Sequence, residues 1–412
     1  MNPKNIINLS KRLSLNNTKG MIPMMLNFGT YLPKVMAAAA ALDKMDNLPD
    51  LRWDYNTPHP FNNPEEKSDI LQRLEWLCKE VIVEPQQLID KMPAPIGREY
   101  QGQWAYYAIS MTVVALSNVA FIYPKCRELA LERIPKLINM ALTPTIKLYD
   151  TMKWKEDAIE SLDGKKSHMT YLSILAWMIG HYKLTGGDSR YDSLYHKICD
   201  ALCRRMLASR DMNLPSFPNK IVFFPDMMFT PLALSIYSKF YDGKYDDVVK
   251  RWSELTRNNW LDRKTGLLIS RYYSSGKRKA PCGSYAALNC SCLAQISESF
   301  GIEQYIRMKE VFCRVDETMK YAAVREYLDK SPKLAFDVDA GIIMNGMSPS
   351  GTAFLLGAAT YFSDWKFRRQ LLNTADKAGG TVKNKDTRHY KLAEFMLTGE
   401  AITLAMRTSV KR

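Results

Sequence analysis

The chain has 412 residues, 46% hydrophobic and 11% aromatic, with no low-complexity tract, which excludes a disordered or fibrous protein. Its net charge of +14 comes from 57 basic and 43 acidic residues spread along the chain, with only short clusters such as Lys277-Arg278-Lys279 and Lys411-Arg412. A nucleic-acid binder is expected to show a concentrated basic stripe or a recognised module; neither is visible, and a soluble basic surface accounts for the charge.

Near the N-terminus, MIPMMLNFGTYLPKVMAAAAAL (21–42) follows Lys11, Arg12 and Lys19. The stretch is loosely like an export signal, but Pro33 and Lys34 interrupt it and it starts late. An amphipathic helix packed on the body is expected instead, within an N-terminal extension over residues 1–60. The longest mostly apolar stretch, 111–124, is broken by polar residues and falls short of the roughly 18 apolar residues a membrane span needs. No integral membrane segment is therefore expected. Of the eight cysteines, Cys199 and Cys203 are spaced i, i+4 and Cys290 and Cys292 i, i+2, and no pair has zinc spacing. They read as reduced, mostly buried thiols of a cytoplasmic protein.

From residue 61 onward the helical period gives pairs of segments with a contrast between the two members. QWAYYAISMTVVALSNVAF (103–121) is followed by CRELALERIPKLINMAL (126–142). HMTYLSILAWMIGHYKL (168–184) is apolar around most of its circumference, whereas SRYDSLYHKICDALCRRML (189–207) carries its apolar residues on one face. The same contrast recurs at SYAALNCSCLAQISESF (284–300) and GTAFLLGAATYF (351–362) with the striped segments after them, and YKLAEFMLTGEAITLAM (390–406) supplies a final buried helix. Aromatics at the joints, Tyr191, Tyr245, Tyr305 and Phe367, are 54, 60 and 62 residues apart. A helix apolar all round is buried on both sides, and a striped one lies at the surface. About six such hairpins predict an all-α (α/α)6 toroid over residues 61–412, with one short β-hairpin arm at LLISRYY (267–273). An open α-solenoid is the structural rival.

In a closed toroid the linkers ahead of the inner helices converge on one rim. Those linkers carry Tyr100, Gln101 and Trp104 in GREYQGQW, Asp163 and His168 in SLDGKKSH, Asp226 in FFPD, and Cys282 in KAPCGSY. FDVDAG adds Asp337 and Asp339. Together they predict a small-molecule enzyme site. His168 suits an acid or base, and Cys282 at a helix N-terminus a nucleophile with lowered pKa. Asp163 and Asp226 are candidate catalytic carboxylates, with turn and cap roles as their alternatives. Tyr100, Gln101, Trp104, Tyr107, Tyr171 and Phe224 form a candidate binding wall. If FDVDAG is extended, both carboxylates face one side, and mutual repulsion leaves Asp339 a proton to donate as a general acid, with Asp337 in support. Alternatively both bond loop backbone N–H groups. The signatures of nucleotide, zinc-protease and α/β-hydrolase sites are absent, and the five histidines have no ligand spacing, so neither a nucleotide nor a histidine-held metal is expected.

At these linkers the sequence resembles the linalool dehydratase/isomerase-like family, in its uncharacterised bacterial branch. The likeness runs over about residues 95–380 through YQGQWAYY, DGKKSH, FPNKIVFFPDMMFTPLAL, RWSELTRNNWLDRKTGLL, KAPCGSYAALNCSCLAQ and REYLDKSPKLAFDVDAGIIMNGMSPSGTAF. The resemblance implies an (α/α)6 fold, cofactor-independent hydration and dehydration of a small, terpenoid-type alcohol, and subunits that form a ring. The sequence departs from the family's cysteine-bearing stretch: Phe223 to Leu232 keeps the Pro and the Phe-Thr but has neither cysteine nor the Glu. Three readings stand: a lyase or isomerase of this kind, a carbohydrate-active toroid enzyme, and a non-catalytic binding protein.

Overall fold

The computed structural model describes residues 45, 47–53, 57–93, 97–337 and 339–412. The helix expected over 21–42 lies outside them. Among the described residues, twelve helices form two layers. Those of the inner layer are α2 (Gly97–Ile122), α4 (Met169–Leu184), α6 (Phe229–Ser238), α8 (Gly283–Ile296), α10 (Pro349–Tyr361) and α12 (Leu397–Arg407). Those of the outer layer are α1 (Pro64–Val81), α3 (Arg127–Ala141), α5 (Asp192–Ala208), α7 (Asp246–Asn259), α9 (Glu298–Val311) and α11 (Trp365–Gly379).

The two layers follow from composition. In α4 every residue from Met169 to Tyr182 is buried. In α7 only Val249, Trp252, Ser253 and Thr256 are buried, a single stripe at i, i+3, i+4 and i+7. Each inner helix packs on the next around the ring, and α12 returns to α2, so the toroid is closed. Within the segment Glu99–Ile122, long and apolar enough to cross a membrane, 83% of the most apolar window is buried inside this ring.

Beside the helices the expectation of a nearly strand-free chain needs correction. The LLISRYY arm contributes only β2 (Arg271–Tyr272), which lies between β1 (Val222–Phe223) and β3 (Arg278–Lys279). A second, unexpected sheet fills the long linker between α9 and α10. It comprises β4 (Cys313–Asp316), β5 (Tyr321–Arg325), β6 (Leu334–Asp337), β7 (Gly341–Met344) and β8 (Met347–Ser348), antiparallel in the order β4-β5-β8-β7-β6. Its strands have two to five residues, too short for alternation to stand out in a helical sequence. β9 (Thr381–Lys383) and β10 (Arg388–Tyr390) form a small hairpin ahead of α12.

Ring closure joins the first outer helix to the last inner one. Arg73 of α1 donates from Nη1 to Glu400 Oε1 of α12 at 2.8 Å. Arg407 of α12 donates from Nη1 to Asp69 Oδ2 at 2.6 Å and pairs through Nη2 with Glu66 Oε2 at 2.9 Å. Arg368 of α11 donates to Glu66 Oε1 at 2.6 Å. Burial pushes the Glu66 and Asp69 carboxyls up, but the guanidinium charges, Arg407 first in each case, hold both down at about 2. Removing one partner of a buried network strands the other charges. Arg407→Met is expected to lower unfolding stability by about 3–5 kcal/mol, read from urea midpoints. Because both carboxyls titrate below their ordinary values of 4.5 and 3.8, their contribution is present above those values. It should be lost as pH falls toward about 2, and less so in the variant.

Candidate active site

The inner helices begin at one rim, and there the structure has a cavity of about 170 Å³. Tyr100, Trp104 and Tyr107 share one stripe on the first turns of α2 and form one wall. β1 brings Phe223, the following turn Asp226, β2 Arg271, and α8 Ser284 and Tyr285. The turn between β6 and β7 brings Asp339.

Asp339 stands at the mouth of this cavity, where its Oδ2 accepts the Tyr285 hydroxyl at 2.7 Å. Crowding by the protein pushes its pKa up to about 6, helped by the charges of Asp337 and Asp226 and opposed by the Tyr285 hydrogen bond and Arg271. Burial also holds the Tyr285 phenol far above its ordinary value, so it remains a donor. Asp226 is 3% exposed. Its Oδ2 accepts the Thr170 hydroxyl at 2.9 Å and its Oδ1 the Tyr107 hydroxyl at 3.3 Å. Burial raises its pKa, against the Lys153 charge and the hydroxyls of Thr170, Ser216 and Tyr107. Two carboxyls held toward their protonated forms thus open on one aromatic-walled cavity.

Asp337 takes the other course. Its Oδ1 accepts the backbone N–H groups of Asp339 and Ala340, each at 2.9 Å, and ties down the hairpin turn. The stretch is a turn and not a continuous strand, so its two carboxylates do not share a face. Gly341 has a φ of +75°, a conformation glycine adopts without strain, and a Cβ there would meet Met396 at 3.2 Å. The glycine therefore serves the turn.

Several other sequence candidates stand away from the cavity. His168 is fully buried, with Nδ1 2.6 Å from Asp150 Oδ2 and Nε2 3.3 Å from Glu156 Oε1. Both its nitrogens are engaged, and it ties the linker to the helix Pro144–Trp154. Asp163 lies on the surface beside Arg204. Gln101 donates to the Met92 carbonyl, and Gln103 lines the cavity in its place. Tyr171 stacks in the core on Tyr106 and donates to the Ala141 carbonyl. Phe224 is buried against Trp260 and Tyr272, so its neighbour Phe223 is the one that reaches the wall. Cys282 caps α8, yet burial and the adjacent Glu326 push its thiol well up, which corrects the expectation of a lowered pKa.

Arg271 and Glu326 were not foreseen. Glu326 is 2% exposed and accepts the Ser284 backbone N–H at 3.1 Å and hydroxyl at 2.9 Å, fixing the first turn of α8 behind Tyr285. Nothing in REYLDK marks it as buried. Arg271 sits in the one segment read as a strand, where alternation could have placed it on the cavity face. Among the described residues no three His, Cys, Asp or Glu side chains converge as a metal site.

The Tyr285 hydroxyl stabilises ionised Asp339, so its loss should raise the Asp339 pKa above about 6. Tyr285→Phe and Arg271→Met are each expected to move the Asp339 titration upward, and Asp337→Asn downward, in ¹³C-carboxyl NMR. A titration near the ordinary Asp value of 3.8 in the unmutated chain would contradict this geometry.

No protein-family model matches the chain, and no curated protein does. Among solved structures, a family 105 glycoside hydrolase of C. acetobutylicum ATCC 824 is similar over 73% of this chain and 92% of that one, at 15% identity and a TM-score of 0.46.

Proposed function

We propose that this protein is a carbohydrate-active acid–base enzyme that breaks a glycosidic bond, as a hydrolase or a lyase. The observation that carries the reading is the pair of carboxyls, Asp339 and Asp226, opening on one cavity walled by Tyr100, Trp104, Tyr107 and Tyr285. Cleavage of a glycosidic bond needs a proton for the departing oxygen and a second carboxylate at the sugar ring. Asp339, protonated below about pH 6, is the donor, and Tyr285 orients it. Asp226 has to ionise while Asp339 keeps its proton, which the Lys153 charge and the Thr170 and Tyr107 hydroxyls favour against burial. It then offsets positive charge developing on the ring or takes a proton from water in hydrolysis, or takes the ring C–H proton in elimination. The faces of Tyr100 and Trp104 suit the apolar faces of a pyranose, while Gln103 and Arg271 offer donors to its hydroxyls.

A second reading is hydration or dehydration of a small alcohol, the chemistry the family resemblance implies. One observation favours it: beyond Trp104 the walls turn apolar. The same general acid would serve, protonating a departing hydroxyl.

Both readings put the proton on Asp339, and a substrate screen separates them. Under the first, the protein releases reducing sugar or an unsaturated sugar from at least one member of an oligosaccharide panel. Asp339→Asn should lower that turnover by about 10²–10⁴-fold while the melting temperature stays nearly unchanged. Activity should fall as pH rises through about 6, because the acid form of Asp339 is lost. Turnover of an alkenol with none on any saccharide would overturn the first reading in favour of the second.

A further inference from the structure

A second cavity, of about 130 Å³, lies behind the rim between the five-stranded sheet and helices α10, α11 and α12. Met344, Met347, Met396 and Ile402 contribute to its walls. The carboxylate in its wall, Glu400, is already spent, since Oε1 accepts from Arg73 and Oε2 from the Tyr390 backbone N–H. What remains is an apolar chamber.

Two features join it to the rim cavity. Trp104 and Ile402 are walls of both spaces. The turn that delivers Asp339 to the first space lines the second with the next residue, Ala340. The two spaces therefore adjoin, with Trp104 and Ile402 between them. The chamber is similar in size to an engineered cavity of roughly 150 Å³ that stays dry and binds benzene. The pocket is partly open to the surface and adjoins the candidate acid.

We infer that this chamber is the apolar subsite of the rim cavity and takes an aryl or short alkyl substituent of the substrate. The inference rests on the reading of the rim as a glycoside site and makes the substrate a glycoside with an apolar aglycone of benzene size. Burial of such a group leaves its polar end at the acid, because the chamber has no uncommitted charge to hold it.

Gly399 gives the test its handle. It lies in α12 and lines the chamber, and a Cβ built there meets nothing within 4 Å. Gly399→Leu should therefore fill the space, whereas Gly399→Ala adds one methyl and removes a helix glycine, so its melting temperature should not fall. Toluene is the probe for the chamber alone. It is expected to raise the melting temperature and change tryptophan fluorescence saturably in the unmutated full chain, in Asp339→Asn and in Gly399→Ala, but not in Gly399→Leu. At least one of phenyl β-D-glucoside, β-D-galactoside and β-D-xyloside should displace toluene, its methyl counterpart being at least about tenfold weaker. No toluene binding, or binding unchanged in Gly399→Leu, overturns the chamber; toluene that no phenyl glycoside displaces overturns its link to the substrate. Failure of the glycoside reading alone looks different: toluene binds and is displaced, yet no glycosidic bond breaks.

Discussion

The rest of the molecule depends on a seam of buried guanidinium–carboxylate pairs where α1 meets α12. Arg73 and Glu400 are 327 residues apart, so their bond is made only when the last inner helix returns to the first outer one. Left open, the ring would expose the apolar flank of α12, and the structure would become a solenoid without a rim. Burying these charges gains little over a packed apolar contact, since desolvation offsets most of the attraction. Their use is geometric. Arg407 reaches both Glu66 and Asp69, one helical turn apart on α1, and few rotations of α12 satisfy both. That register also sets Glu400 and Gly399 in the chamber wall and Ile402 between the two cavities.

Closing the ring also decides where charge can go. Inner helices buried all round cannot carry free carboxylates, so titratable groups collect on the linkers, and half of the linkers lead to one rim. A carboxylate at a helix N-terminus is ordinarily stabilised in its ionised form by the backbone N–H groups there. Asp339 escapes that influence because it comes from a sheet turn. Asp226 belongs to a four-residue helical turn ahead of α6 and accepts from hydroxyls, while burial dominates its titration. Both are therefore held nearer their acid forms than helix-end carboxylates would be.

The hairpin repeat was legible because it is written in burial around whole helices, a signal summed over many residues. α4 and α8 could be read as inner helices for that reason, and the rim followed from them. What the pattern did not hold was which side chain of a linker turns inward. His168, at the start of α4, has a φ of 44° and meets Asp150, on the buried face of the helix Pro144–Trp154, and Glu156 in the loop after it. These partners lie 18 and 12 residues upstream, and the hairpin pattern does not pair them with it. Gln101 and Gln103 differ by two positions on one helix, so about half a turn separates the one that meets Met92 from the one that meets the cavity. The five-stranded sheet stayed hidden because its order places β8 between β5 and β7, a pairing that no local alternation encodes.

In the stretch FDVDAG the two carboxylates take different courses. Period-two reasoning expected both side chains on one face, but the chain reverses between them, with Asp337 opposite Gly341 across the hairpin. Asp337 spends its carboxylate on the N–H groups of Asp339 and Ala340, which is the structural role. In doing so it fixes the backbone from which Asp339 reaches the cavity, and it leaves a negative charge close by that helps raise the Asp339 pKa. The structural carboxylate thus both places and tunes the candidate acid. An amide at 337 could also accept those N–H bonds, but it would remove the charge and bring Asp339 nearer to an ordinary carboxylate. The separation of turn geometry from charge explains why this position carries an acid where hydrogen bonding alone would be satisfied by asparagine.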